Sequence, residues 1–339
     1  MTRRLLLATA LAGGLVAGGA SAALAEDGAP IVRCSITDPR LAELSGLVVV
    51  GEQMLALNDG GDQIAVYELD GDCAIVDEQT TPVDPYDPED LAVGPDGGVW
   101  IADIGDNNAV RDTVALHVLR PDGATALHRL TYPDGAHDAE ALLVAPDGTP
   151  YVVPKEVLGS SGVYRPSALL ADGGTVPMEQ VATVNVTLTG TSGGPVGRAG
   201  QLMITGGAVA SDGSAVALRT YTDVYVWPLT GSDVVGALGG QPTRLALPES
   251  PQGEAVSFTG DSRALVVASE GLPSAVTVVP LPAGAPAPAA TSATASAPDP
   301  LPSFDELVRS DRPPITAALI AAAVATLVVW LGSRLFRRS

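Results

Sequence analysis

Glu89-Asp90-Leu91-Ala92-Val93-Gly94-Pro95-Asp96-Gly97-Gly98-Val99-Trp100-Ile101-Ala102-Asp103 decides the fold. A polar pair opens this stretch and a short apolar strand follows. Pro-Asp-Gly then turns the chain, and a second apolar strand ends on an aspartate. Asp-Gly between two β-rich runs is hairpin chemistry, because glycine takes the backbone angles that the turn demands. The same unit recurs at residues 45–59, 139–156, 206–219 and 253–270, with the turns Pro146-Asp147-Gly148, Ser211-Asp212-Gly213 and Gly260-Asp261-Ser262 in the last three. Counted from Leu47, Leu91, Ala141, Ala208 and Ala255, the steps are 44, 50, 67 and 47 residues. A β unit repeating at this period is the signature of propeller blades.

One or two further strands follow each hairpin, such as Gln63-Ile64-Ala65-Val66-Tyr67 in the first unit and Val224-Tyr225-Val226-Trp227 in the fourth. The last unit shows only three strands. The N-terminal stretch Pro30-Ile31-Val32-Arg33-Cys34 is expected to supply the fourth, locking the ring and hiding an open sheet edge. The fold class is therefore all-β, a propeller of five blades, or of six if the 67-residue step holds a degenerate blade around residues 187–202. A β-sandwich with internal repeats is the alternative. The two cysteines, Cys34 and Cys73, lie in an exported segment, where a disulfide between them is expected.

The ends of the chain carry their own signals. Arg3-Arg4, an apolar run and Ala23-Leu24-Ala25 form a secretory signal peptide over residues 1–25. Residues 26–281 are the propeller domain, and residues 282–314 form a Pro/Ala-rich tether that begins with too little apolar surface to fold. Residues 315–332 hold no charge. As a helix they span ~27 Å, close to a bilayer core. Arg334, Arg337 and Arg338 lie in the basic tail, residues 333–339, and keep it cytoplasmic, so the propeller stands outside a single-pass anchor.

The formal net charge is −21 over 339 residues, and Lys155 is the only lysine. Such a surface repels phosphate backbones and excludes nucleic acid as a partner. It suits cations or solubility. Propeller geometry brings the start of each innermost strand and the end of the next strand to one mouth of the channel. The candidate metal ligands gathered there are Asp59, Glu89, Asp90, Asp103, Asp106, Asn107, Glu140, Glu254 and Glu270. Crowded carboxylates with hard oxygen donors favour Ca²⁺. Lys155 and Arg219 end second strands on the same face and are the candidate catalytic cations, gripping an anion that also ligates metal. The opposing reading is that these charges close turns or pair with neighbours. That reading is preferred for Asp96, Asp122, Asp134 and Asp147. No Gly-x-Ser-x-Gly element supports a serine hydrolase, and no soluble helix of any length is expected.

Five elements together carry a resemblance: Ala56-Leu57-Asn58-Asp59-Gly60-Gly61, Asp87-Pro88-Glu89-Asp90-Leu91-Ala92, Asp103-Ile104-Gly105-Asp106-Asn107, Asp138-Ala139-Glu140-Ala141-Leu142 and Lys155-Glu156. The chain resembles bacterial propellers grouped loosely with phytase-like and esterase-like proteins. That resemblance implies secretion and, in phytase-like members, calcium ions around a phosphate site. Two functions stand side by side. One is a calcium-dependent binding or scaffolding module at the cell surface, for an unidentified extracytoplasmic ligand or protein. The other is a calcium-dependent phosphoric ester hydrolase.

Overall fold

The Asp-Gly hairpins form as their chemistry requires. Gly97, Gly148 and Gly213 each take positive φ, at +78°, +86° and +71°. The aspartate before each accepts a backbone N–H two residues on, from Gly98 at 3.1 Å, Thr149 at 3.0 Å and Ser214 at 3.0 Å. The computed structural model describes residues 28–282. The expected signal peptide, the tether beyond residue 282, the anchor at residues 315–332 and the basic tail lie outside the described residues. Among those described, no helix is long and apolar enough to cross a membrane.

The strands are β1 (Ile31–Ile36), then β2 (Leu44–Val50), β3 (Gln53–Asn58), β4 (Ile64–Leu69) and β5 (Ile75–Thr81). A second meander holds β6 (Pro88–Val93), β7 (Val99–Asp103), β8 (Val114–Leu119) and β9 (Thr125–Thr131). A third holds β10 (Ala139–Val144), β11 (Pro150–Pro154), β12 (Ser160–Pro166) and β13 (Thr175–Asn185). A fourth holds β14 (Ile204–Val209), β15 (Ala215–Thr220), β16 (Asp223–Pro228) and β17 (Thr243–Ala246). The last holds β18 (Gln252–Phe258), β19 (Ala264–Glu270) and β20 (Ser274–Pro280). β1 pairs antiparallel with β20 and completes it, as the short count of the last repeat predicts. The second and third meanders join edge to edge, where β13 pairs in parallel with β9, to give one eight-stranded sheet. The long step between the third and fourth repeats contains no strand in residues 186–203. It holds a loop and a short 3₁₀ turn at Gly197–Gln201. One helix of five residues, α1 (Val234–Leu238), departs from the expectation of none.

Apolar side chains fill five clusters, each between one meander and the next. The cluster of Leu44, Leu47, Ala255 and Val266 closes the last meander onto the first. This explains why the innermost strands read as continuous apolar runs. On β10, Ala141 and Leu143 face the fourth meander, whereas Leu142 and Val144 face the second. A strand buried on both faces has no solvent side to leave polar. Each fully buried leucine or valine among these side chains contributes about 1.5–3 kcal/mol. The architecture is all-β and propeller-like, with β2, β6, β10, β14 and β18 meeting around the axis. Cys34 on β1 and Cys73, in the turn before β5, form the expected disulfide, with their Cα atoms 5.7 Å apart. It ties the outer strand of the last meander to the first.

Candidate functional site

Every innermost strand carries a one-residue bulge at the same height. The register against the second strand slips at Ser45, Glu89, Glu140 and Thr205, and in the last meander across Glu254 and Ala255. A bulge re-aims a side chain and is common beside functional sites. Here it places five polar side chains in a buried ring at one mouth of the channel: Ser45 (2% exposed), Glu89 (5%), Glu140 (3%), Thr205 (0%) and Glu254 (4%). Ring members reach across to the next strand. Ser45 Oγ donates to the Glu89 carbonyl at 2.5 Å, and Thr205 Oγ1 donates to the Gly253 carbonyl at 2.9 Å.

Two residues before Glu89 stands Asp87, and two before Glu140 stands Asp138. Carboxylate oxygens of Asp87, Glu89 and Asp138 lie within 4.8 Å of one another. Burial, then the Asp138 charge, pushes Asp87 up to about 6. Burial, then Asp87, holds Glu89 well above the usual carboxylate range. The loop after β7 packs against this triad. Gly105 donates its N–H to the Asp87 carbonyl at 3.0 Å, and the Asp106 N–H donates to Asp138 Oδ1 at 2.9 Å. A Cβ on Gly105 would fall 2.3 Å from Glu89 Oε1 and 2.6 Å from Asp87 Oδ2, so only glycine lets the carboxylates close in.

The loop is pinned by Arg111. Its guanidinium pairs with Asp103 at 2.9 Å, donates to the Gly105 carbonyl at 2.7 Å and stacks 4.4 Å from the centre of the Tyr86 ring. Asp103 also accepts the N–H groups of Tyr86 at 3.2 Å and Asp87 at 3.0 Å. Its second neighbour is His117 Nε2, at 3.6 Å. Burial alone would raise the Asp103 carboxyl, but His117, Arg111 and those two N–H groups together lower it. Asp103 thus positions Asp87 and is already paired. Asp106 is buried and accepts the Arg111 N–H at 2.8 Å through one oxygen, the other having no hydrogen-bond partner among the described residues. Asn107 is exposed and donates to Asp87 Oδ2 at 3.5 Å.

The other half of the mouth belongs to the first and last meanders. Burial, followed by Glu43 and Glu270, pushes Asp59 up to about 7. Burial and Glu270 push Glu254 up to about 8, and burial and Glu43 raise Glu270. Gln252 bridges Glu254 and Glu270. Among the described residues no ion pair involves Asp59, Asp87, Glu89, Glu254 or Glu270. The one ammonium at the mouth is that of Lys155. It touches Glu140 Oε1 and lies 3.4 Å from Asp138 Oδ2.

Two expected site residues serve other ends. Asp90 is fully buried and accepts the N–H groups of Leu91 at 2.8 Å, Leu142 at 2.8 Å and Gly207 at 3.1 Å. Burial pushes it up to about 8 against those three bonds. Arg219 is 1% exposed, and its Nη1 donates to the carbonyls of Ala255 at 2.6 Å and Ala268 at 2.9 Å. Its donors hold the fourth and fifth meanders together, while burial lowers it to about 10. Asp134, expected to close a turn, instead accepts from Tyr164 Oη at 2.8 Å and faces His137 Nε2 at 3.0 Å. Asp87 and Arg111 are the additions that the sequence expectation lacked, while Asp138, which the strand ends place at the mouth beside Glu140, joins the ligand group. The signal for Asp87 is the repeated Asp-x-Glu of Asp87-Pro88-Glu89 and Asp138-Ala139-Glu140.

The opposite end of the channel is a different surface, a cavity of about 630 Å³ walled by Leu47, Leu91, Val144, Val256, Phe258 and hairpin tips. No family model matches the chain, and no curated protein matches it. Solved structures similar to it are propeller-like folds. One is the gluconolactonase XC5397 from Xanthomonas campestris (19% identity, 68% of this chain and 69% of that one, TM-score 0.41). Another is the PQQ-bound aldose sugar dehydrogenase from Streptomyces coelicolor (12%, 74% and 98%, 0.39). A third is the set of WD40 repeats of RRP9 (14%, 70% and 67%, 0.36).

Proposed function

We propose that the chain is a five-bladed propeller, exported and held in the cytoplasmic membrane by residues 315–332, that acts as a binding or scaffolding module outside the cell. It takes a divalent cation on Asp87, Glu89 and Asp138, and that cation helps hold the ligand. The observation that carries this reading is the triad itself: three carboxylates within 4.8 Å, one of them buried, and no ion pair to Asp87 or Glu89 among the described residues. An all-oxygen donor set favours calcium, which takes six to eight oxygens. Three carboxylates leave coordination positions for water or a ligand's own oxygens. The five meanders and five apolar interfaces support the blade count. The charge pattern of the chain ends supports the orientation.

The second reading, a calcium-dependent phosphoric ester hydrolase, draws on Lys155 beside the triad. It gains nothing from Arg219, whose guanidinium is spent on carbonyls.

Calcium titrated into the full chain by calorimetry, with melting curves in calcium and in chelator, tests the proposal. A ligand at a hundred times its Kd adds about 2.7 kcal/mol of stability. For a domain of this size that raises the Tm by roughly 5–10 °C. Binding without turnover of phosphate esters favours the module, and calcium-dependent turnover favours the hydrolase. No heat and no shift, both in the chain itself and in a chain lacking the Lys155 charge, removes the cation reading.

A further inference from the structure

Lys155 is the chain's only lysine, and the fold seats it where a cation is wanted. Its place in the third meander matches that of Asp59 in the first. The N–H of each closes onto a carbonyl two residues before the bulge, Asp59 onto Glu43 at 3.0 Å and Lys155 onto Asp138 at 2.8 Å. Where one meander sends a carboxylate into the mouth, the other sends an ammonium. The Lys155 side chain is only 12% exposed, and its Nζ lies against Asp138, a member of the triad, and against Glu140.

Glu140 supplies an independent observation. It is 3% exposed and belongs to the bulge ring. One oxygen meets the ammonium, and Oε2 has no hydrogen-bond partner among the described residues. A buried carboxylate oxygen without a partner is costly. The other oxygen, Oε1, meets the same ammonium that lies against Asp138, so Lys155 joins Glu140 to the triad. The protein's own positive charge thus occupies the edge of the cation seat.

Resting on the cation reading above, we propose that Lys155 is a built-in competitor for that seat. With no metal present, its ammonium holds Asp138 and Glu140. An arriving divalent cation repels the ammonium, takes Asp138 from it and recruits Glu140 as a fourth carboxylate, and Lys155 swings toward solvent. No covalent step is involved. The lysine therefore lowers the affinity of the mouth for metal, and metal binding presents a free primary ammonium at the rim.

The test uses the full chain and two substitutions, Lys155→Met and Lys155→Arg, with calcium as the probe. Calorimetry is expected to show Lys155→Met binding calcium roughly tenfold tighter or more, which is 1.4 kcal/mol or more, while Lys155→Arg keeps the weaker binding. A second measurement needs no variant. Amine acylation followed by peptide mass spectrometry reports on Lys155 alone within the chain, apart from the N-terminal amine. Saturating calcium is expected to raise its acylation rate severalfold. If the chain binds calcium and Lys155→Met binds no tighter, or the acylation rate stays level or falls, the competitor proposal is overturned and the cation reading stands. If neither the chain nor Lys155→Met binds calcium, both are overturned.

Discussion

The Asp90 carboxylate accepts the Gly207 N–H at 3.1 Å, although the two residues are 117 positions apart and lie on meanders that are not neighbours. The same oxygen accepts the Leu142 N–H at 2.8 Å. One buried side chain therefore joins the innermost strands of the second, third and fourth meanders. Leu91 and Gly207 also wall the cavity at the far end, so this carboxylate divides the acidic mouth from the apolar cavity. Asp90→Asn keeps one oxygen for the Leu142 and Gly207 N–H groups and turns its NH₂ toward the Leu91 N–H, which loses its acceptor. A loss of about 1–3 kcal/mol in chemical denaturation is expected. A change below about 0.5 kcal/mol, the ordinary size for an uninvolved surface position, refutes the tie.

The mouth predicts an unusual pH dependence. Asp87, Asp59, Asp90 and Glu254 stand at about 6, 7, 8 and 8 in the folded chain, from ordinary values of 3.8 for the aspartates and 4.5 for the glutamate. A carboxyl raised on folding binds its proton more tightly in the folded state. Its contribution is complete below the unfolded value and is lost as pH climbs through the folded one. In chelator, the Tm should therefore fall between pH 5 and pH 8. His137, raised by Glu156 and then Asp134 against its burial, adds to the same trend. Calcium should flatten the decline, because it favours the ionised carboxylates. A Tm that rises over this interval in chelator contradicts the assigned environments.

Much of the fold was legible because it is local. The Asp-Gly turns depend on neighbours two residues away, and the apolar runs follow from strands buried on both faces. The parallel pairing of β13 with β9 was not legible. It joins the edges of two meanders, and nothing within either strand announces it. In the site, Glu89, Glu140 and Glu254 were visible as polar residues opening apolar strands. Asp103 was visible as a carboxylate but not as a paired one, since Arg111 returns to it only after the loop has turned. Arg219 was equally opaque, because the carbonyls it meets lie 36 and 49 residues on.

Arg219 should behave as a structural residue. Removing its guanidinium orphans the Ala255 and Ala268 carbonyls between two meanders. Arg219→Ala also empties a site that is 1% exposed, so a cavity adds to the loss. About 3–5 kcal/mol of destabilisation is expected, from two buried acceptors left unpaired and the cavity left behind. Calcium affinity at the triad, measured on the fraction that folds, should stay within about threefold of the unaltered chain, a difference under 1 kcal/mol. Unchanged stability with lost ligand binding would instead return Arg219 to the functional surface.

Gly105→Ala separates the site from the fold. The new methyl group meets the far ends of two side chains, Glu89 Oε1 and Asp87 Oδ2, which yield by rotating away. Gly105 is not at positive φ, so alanine introduces no backbone strain there. Stability in chelator should change by about 1 kcal/mol or less, below the usual 1–3 kcal/mol of an overpacked core. The carboxylates, however, lose the spacing that brings them within 4.8 Å of Asp138. Calcium affinity should fall about tenfold or more, which is at least about 1.4 kcal/mol, and the calcium-dependent rise in Tm should shrink with it. If Gly105→Ala binds calcium as the unaltered chain does, the cation is not held by Asp87 and Glu89. The Asp59–Glu254–Glu270 side of the mouth then becomes the place to substitute next.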